Sequence, residues 1–262
     1  MTVRIQRHAA NDTLQLTLDK PKGNVLDGAL VEALTAAITK ASKDDSLRAV
    51  VLDSAGNDFS FGASVEEHLP DQVHGMLTGL HRLLRAMLEL PIPLLVAVQG
   101  RCLGGGLELA LAGSRIIASP ESTLGQPEVK LGLFAPAASA FLPARMGAAA
   151  AEEFLLSGRN VKGPEALAMG LVDELCPPGE KPVTRALAWV DQHLLTHSRV
   201  GLRFACRAAR LEHVTTVTKT LAQLEQLYLE DLMKTADAVE GLNAFLQKRA
   251  PQWSTPQSGD RA

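Results

Sequence analysis

Apolar residues in this chain recur with three different spacings, and each predicts a different element. Residues 2–8 and 13–18 alternate apolar and polar side chains, the period of a half-buried strand, and Ala10-Asn11-Asp12 would join them as a hairpin. Ala49-Val50-Val51-Leu52 and Leu94 to Val98 are unbroken apolar runs, which predicts buried strands. Elsewhere the spacing is three or four. Leu30, Leu34, Ile38 and Ala41 follow Asp27, a residue suited to cap a helix. Val73, Leu77, Leu80, Leu84 and Leu88 make residues 72–89 an amphipathic helix. Ile116-Ile117-Ala118 and Leu171 to Leu175 read as further strands, and Gly163-Pro164-Glu165 opens a helix. Residues 135–157 are Ala-rich and helical, with breaks expected at Pro143 and Gly147. Beyond Pro177-Pro178-Gly179 the pattern is helical throughout, over 182–196, 199–210, 215–233 and 236–248, and the polar residues 251–262 are expected to fray. The fold class is therefore α/β, with alternating strands and helices over residues 1–178 and a helical region over 179–262. There is no exact internal repeat, only a loose recurrence of strand, strand, helix.

Residues 94–134 break these patterns in an informative way. The apolar run ends in Gly104, Gly105 and Gly106, and Leu107 to Ala112 then read as a helix, so the chain turns sharply through residues without side chains. The first amides of such a helix have no intrahelical partner and suit an oxygen that gains negative charge. Glu108 stands in that otherwise apolar helix, and Glu128 follows in Gly125-Gln126-Pro127-Glu128. Either carboxylate alone reads as a structural or surface residue. Together, beside a free amide, they form a plausible acid/base pair.

Other chemistries lack their residues. No Lys-Ser/Thr follows the glycines, so they are not a phosphate loop, and a dinucleotide fingerprint would need glycine at Leu109. There is no G-x-S-x-G nucleophile elbow. His193 and His197, and His74 and His81, have helical spacing but no metal motif and are expected on solvated faces; His68 lies in a loop near the glycines. Cys102 precedes the glycines with nothing nearby to activate it and reads as packing. The net charge of −3 leaves no basic footprint for nucleic acid. Three cysteines without a CxxC, and the absence of an apolar signal core or a membrane-length run, point to a cytoplasmic protein. Apolar stripes at Val217, Leu221, Leu224, Tyr228 and Leu232, and at Val239, Leu242 and Leu246, would cover the core or meet a neighbouring subunit.

Four separated pieces resemble the crotonase (enoyl-CoA hydratase/isomerase) superfamily across nearly the whole chain. They are Ala97 to Gly100 with Leu103 to Ala110, Leu124 to Gly132, Phe59-Ser60-Phe61-Gly62-Ala63, and the downstream set Leu156 to Arg159, Ala166 to Val172 and Glu240 to Leu246. The resemblance implies a spiral of ββα turns followed by a helical trimerisation region, in a trimer or dimer of trimers. It implies that the amides of Ala63 and Gly105 hold a thioester oxygen, that Glu108 and Glu128 are the acid/base carboxylates, and that the loop around Phe61, Ala63 and Val65 meets the adenine end of coenzyme A. No metal or redox cofactor follows; coenzyme A is part of the substrate. Retention of both carboxylates favours a hydratase over an isomerase and, with the absence of a basic cluster, argues against a non-catalytic RNA-binding or assembly protein; a double-bond isomerase or a ring-opening hydrolase would be told apart by its product. Two departures bear on the acyl group. Ser64 stands where many members have Asp, and Phe134-Ala135-Pro136-Ala137-Ala138-Ser139 replaces a Gly-rich segment lining the acyl pocket. These variants are similar to those of hydratases that add water 1,4 across cyclohexa-1,5-diene-1-carbonyl-CoA in anaerobic benzoyl-CoA breakdown, rather than to those acting on linear enoyl chains.

Overall fold

The computed structural model describes residues 2–8, 10 and 12–254. In chain order the strands are β1 (Val3–His8), β2 (Thr13–Leu18), β3 (Ala49–Ser54), β4 (Leu94–Val98), β5 (Arg101–Leu103), β6 (Arg115–Ala118), β7 (Thr123–Gly125), β8 (Asn160–Lys162) and β9 (Glu174–Leu175). The helices are α1 (Gly28–Ser42), α2 (Val73–Leu88), α3 (Gly105–Leu111), α4 (Pro136–Met146), α5 (Ala148–Ser157), α6 (Gly163–Ala168), α7 (Pro182–His193), α8 (Arg199–Gln226) and α9 (Ala236–Leu246). The result is a mixed α/β fold of repeated strand–helix units with long C-terminal helices. No helix among the described residues is long and apolar enough to cross a membrane.

The larger sheet runs β1-β2-β3-β4-β6-β9; β1 and β2 are antiparallel and every later pair is parallel. Its central strands carry unbroken apolar runs, Ala49 to Leu52 in β3, Leu94 to Val98 in β4 and Ile116 to Ala118 in β6, because both faces are covered. Val50 and Leu52 of β3, Leu94, Val96 and Val98 of β4 and Ile116 of β6 enter the main core with α1 and α2. The intervening Ala49, Val51, Leu95, Ala97 and Ile117 meet Ala186, Val190 and Leu194, from α7 and the residue after it. Burying such a side chain stabilises the fold by about 1.5–3 kcal/mol relative to leaving it exposed.

A second layer positions the site. Strands β5, β7 and β8 form a small sheet, and single bridges Ser60↔Cys102 and Leu26↔Ala63 extend it into two loops. The 59–65 loop is thereby fastened to the strand that leads into the glycines. None of these three strands stands out in the sequence, since each has three residues and depends on the layer above for its partners.

Several sequence expectations change. The strand that enters the glycines is β5; β4 ends earlier, at Val98. Pro143 sits inside α4 without ending it, and the helix stops at Gly147, whose φ of 82° suits glycine. No break separates 210 from 215: α8 runs 28 residues, with no Gly or Pro there to stop it. Only Glu174 and Leu175 of the 171–175 run are strand. Residues 251–254 are held where fraying was expected, because Gln252 N donates to Glu240 Oε1 (2.7 Å) and Ser254 N to Asp237 Oδ1 (2.8 Å). The remainder of that expectation, over 255–262, and the hairpin position Asn11 lie outside the described residues.

Candidate active site

The corner between β5 and α3 is built by backbone contacts that exclude side chains. Gly104 has φ 51°, donates to Gly125 O (2.9 Å), and accepts at its own carbonyl from Leu107 N (2.8 Å) and Glu108 N (3.0 Å). Opposite it, Leu103 N donates to Ser60 O (3.0 Å), and Phe59 N and Ser60 N both donate to Arg101 O (3.0 Å). Gly62 has φ 103°, and a Cβ there would lie 2.9 Å from Leu103 O. Both positions therefore require glycine, for conformation and for space. The two loops come so close that a Cβ on Gly105 would lie 3.1 Å from Ala63 N. Among the described residues neither the Ala63 nor the Gly105 N–H has a hydrogen-bond acceptor.

Glu108 is 4% exposed, and its Oε1 accepts from Ala138 N (2.9 Å) in the first turn of α4. The segment Ala135 to Ser139, which departs from the Gly-rich form, thus holds one of the two carboxylates directly. Glu128 opens a 3-10 turn, Glu128–Leu131, and rests on Gly104: a Cβ at Gly104 would lie 2.8 Å from Glu128 Oε1. With its amide nitrogen turned toward Glu128, the buried Gln126 donates to both carboxylate oxygens at 3.0 Å. Burial raises the pKa of both acids. The Ala138 and Ala137 amides oppose that rise at Glu108, whereas the charge of Glu108 adds to it at Glu128. Both carboxyls therefore hold their protons to higher pH than an ordinary carboxylic acid, as a coupled pair.

These groups share a cavity of about 470 Å³. Phe61, Val65, Arg101, Lys130 and Phe245 line it together with Ala63, Gly105, Glu108 and Glu128, so every residue singled out from the sequence for catalysis or binding meets here. The Arg101 guanidinium lies 4.1 Å from the centre of the Phe61 ring and pairs with Asp58. Its inner wall is apolar, from Leu77, Leu80, Leu133 and Phe134. His68 also lines it; its Nδ1 is hydrogen-bonded to Ser64 O (2.7 Å), and burial lowers its pKa. His81, expected on a solvated face, is instead 1% exposed and hydrogen-bonded to Glu225. Cys102 is fully buried, and burial raises its pKa well above the ordinary thiol value. Among the described residues no group of three or more His, Cys, Asp or Glu is placed to hold a metal ion.

Sequence reasoning missed three contributors. The Ala138 amide carries no side-chain signal at all. Gln126 gave a faint one, a polar residue two positions before Glu128. Tyr228, counted within an apolar stripe, is 2% exposed, lines the cavity, and has a hydroxyl with no partner among the described residues. An unpaired buried hydroxyl costs about 1–3 kcal/mol, so it calls for an explanation.

The arrangement can polarise a carbonyl with two amides and move protons with two carboxylates in an apolar enclosure. Comparison with known proteins points the same way. The profile of the enoyl-CoA hydratase/isomerase family matches residues 8–256. The chain is 50% identical over 240 residues, 92% of both chains, to the cyclohexa-1,5-dienecarbonyl-CoA hydratase of Thauera aromatica. It is 30% identical over 252 residues to a probable enoyl-CoA hydratase of Bacillus subtilis, covering 91% of this chain and 93% of that one. Among solved structures, an enoyl-CoA hydratase from Mycobacterium avium subsp. paratuberculosis K-10 superposes with a TM-score of 0.84 at 27% identity, covering 97% of this chain and 99% of that one.

Proposed function

The chain belongs to the enoyl-CoA hydratase/isomerase family, and we propose that it is the member that adds water 1,4 across cyclohexa-1,5-diene-1-carbonyl-CoA, giving 6-hydroxycyclohex-1-ene-1-carbonyl-CoA in anaerobic benzoyl-CoA breakdown. The observation that carries the ring substrate is the 50% identity to the Thauera aromatica hydratase, against 29–30% to relatives named as enoyl-CoA hydratases. The site supports it: Phe134 and the α4 N-terminus form an apolar wall beside the two carboxylates.

In this reading the thioester oxygen accepts from the Ala63 and Gly105 amides. Glu108, whose Oε1 accepts from the Ala138 amide, takes a proton from water as the water oxygen bonds to the ring carbon β to the carbonyl. Electrons move through the ring into a dienolate, whose oxygen charge the two amides stabilise. Glu128, kept protonated by burial and by Glu108, delivers a proton to the far end of the former diene. Atoms balance once the proton taken up by Glu108 passes to Glu128: one water is consumed and one double bond is lost. The loop of Phe61, Ala63 and Val65 meets the adenine end of coenzyme A. We assign residues 1–178 to catalysis and 179–262 to active-site cover and assembly into a trimer or dimer of trimers; exposed Val200, Phe204 and Leu211 on α8 support an assembly face. Three free cysteines support a cytoplasmic setting.

The test is turnover of crotonyl-CoA and of the cyclic dienoyl-CoA by the wild type and by Glu128→Gln. Fast hydration of the diene, weak action on crotonyl-CoA and loss of both in the variant are expected. A preference for crotonyl-CoA would return the protein to linear-chain hydration.

A further inference from the structure

Tyr228 is the one tyrosine of the chain and a polar residue of the cavity that the mechanism leaves unused. It lies in a π-helical turn, Leu227–Asp231, directly after α8. Such turns add a residue to the helical register and often re-aim a side chain at functional sites. Here Leu227 is 47% exposed while Tyr228 is 2% exposed. The Tyr228 ring meets Phe134 edge-on, with centroids 5.2 Å apart and planes at 65°. Its hydroxyl is buried and, among the described residues, bonded to nothing, so neither Glu108 nor Glu128 holds it. Burial raises the pKa of the phenol, and negative charge on the neighbouring carboxylate pair adds to the rise, so the phenol stays protonated and able to donate.

Tyr228 lines this cavity, and its buried, unpartnered hydroxyl needs an acceptor that a bound ligand can supply. Resting on the proposed ring hydration, the candidates are few. The thioester oxygen lies with the Ala63 and Gly105 amides, and the ring of the diene is hydrocarbon. The polar atom that the reaction creates on the ring is the oxygen added from water. We propose that the Tyr228 hydroxyl donates a hydrogen bond to that oxygen, holding the incoming water and recognising the hydroxyl of the product. Tyr228 would then be a specificity-determining residue contributed by the C-terminal helices.

Tyr228→Phe keeps the ring and its contact with Phe134, and it removes only the unpaired hydroxyl, so the variant should fold with an unchanged or higher melting temperature. Inhibition constants of two cyclic thioesters against diene hydration separate the roles: 6-hydroxycyclohex-1-ene-1-carbonyl-CoA, which carries the hydroxyl, and cyclohex-1-ene-1-carbonyl-CoA, which lacks only that group. The expected result is a roughly tenfold weaker constant for the hydroxylated ligand, the loss of one hydrogen bond, with the other constant essentially unchanged. Equal shifts for both ligands, or none, would make Tyr228 a wall residue and overturn the assignment. Should the wild type hydrate crotonyl-CoA but not the diene, the ring reading fails separately, and 3-hydroxybutanoyl-CoA against butanoyl-CoA puts the same question to Tyr228. If neither substrate is hydrated, both assignments fall, because no added oxygen exists for the hydroxyl to address.

Discussion

The glycine corner and the C-terminal strap meet at one cavity but are built in opposite ways. In the corner, backbone geometry is over-determined: Gly104 alone engages Gly125, Leu107 and Glu108, and Ser60 ties the facing loop through Leu103 and Arg101. The strap is a long helix that buries only Val217 and Leu221 along its 28 residues, followed by π and 3-10 turns that bring Tyr228 and Met233 inward. A rigid corner suits groups that must hold charge within fractions of an ångström. A loosely packed strap can change its inward side chains without disturbing them. The difference teaches that chemistry and selection can be divided between regions of unequal rigidity.

The sharpest way to break this comparison is to find that a strap residue matters more than the corner's carboxylates. Glu108→Gln and Glu128→Gln should each lower kcat by about 10²–10⁴-fold, the range of general acid–base catalysis, with KM little changed. The double variant should lose little beyond either single one, because the two act as a unit. Steady-state kinetics checks this, and an additive double loss would show that the carboxylates work independently.

Next in size is the frame itself. Gly62→Ala forces a side chain into φ 103° and toward Leu103 O, and should cost about 1–3 kcal/mol or more, seen as a lower melting temperature together with lost activity. Gly75→Ala in α2 meets open space and should instead stabilise by up to about 1 kcal/mol. If Gly62→Ala melts like the wild type, the corner is less constrained than its contacts imply.

The carboxylates also predict a pH signature. Both have folded pKa values raised above the unfolded carboxylate value of about 4.3, so the native state binds more protons than the unfolded one in that interval. Stability attributable to them is thus highest in acid and falls as pH rises through the raised pKa values. Glu128→Gln should melt higher than the wild type at pH 8 and about equally at pH 4, while kcat/KM of the wild type follows a bell whose acidic limb lies above the ordinary carboxylate range. A variant that melts lower at pH 8 would mean that the charged form is stabilised in the fold.

Legibility followed the same division. The buried strands were readable because β3, β4 and β6 are covered on two faces, which leaves continuous apolar runs. The corner was readable because glycine and an inward carboxylate are conspicuous in an apolar helix. The three-residue strands β5, β7 and β8 carry no periodicity, and their existence depends on the neighbouring layer. The Ala138 amide that holds Glu108 is backbone, invisible to side-chain reasoning. Tyr228 fitted an apolar stripe at helical spacing, and only the π turn turns its hydroxyl into a question.

The smallest expected effect tests whether the strap acts through Tyr228. One turn ahead of it, Glu225 Oε2 lies 2.5 Å from Nδ1 of the buried His81 on α2, tying the end of α8 to the core. Burial lowers the His81 pKa despite that carboxylate, so the fold favours a neutral imidazole donating to Glu225 and loses stability as pH falls below the unfolded value of about 6.5. Glu225→Ala leaves the Nδ1–H unpaired and should cost about 1–3 kcal/mol, whereas Glu225→Gln keeps an acceptor and should cost less. Neither touches the corner, so the pH profile set by Glu108 and Glu128 should stay in place. If the tie positions Tyr228, Glu225→Ala should weaken binding of the hydroxylated product more than that of its deoxy analogue, a milder copy of Tyr228→Phe. A uniform loss of affinity for both ligands would instead mean that the strap merely closes the cavity.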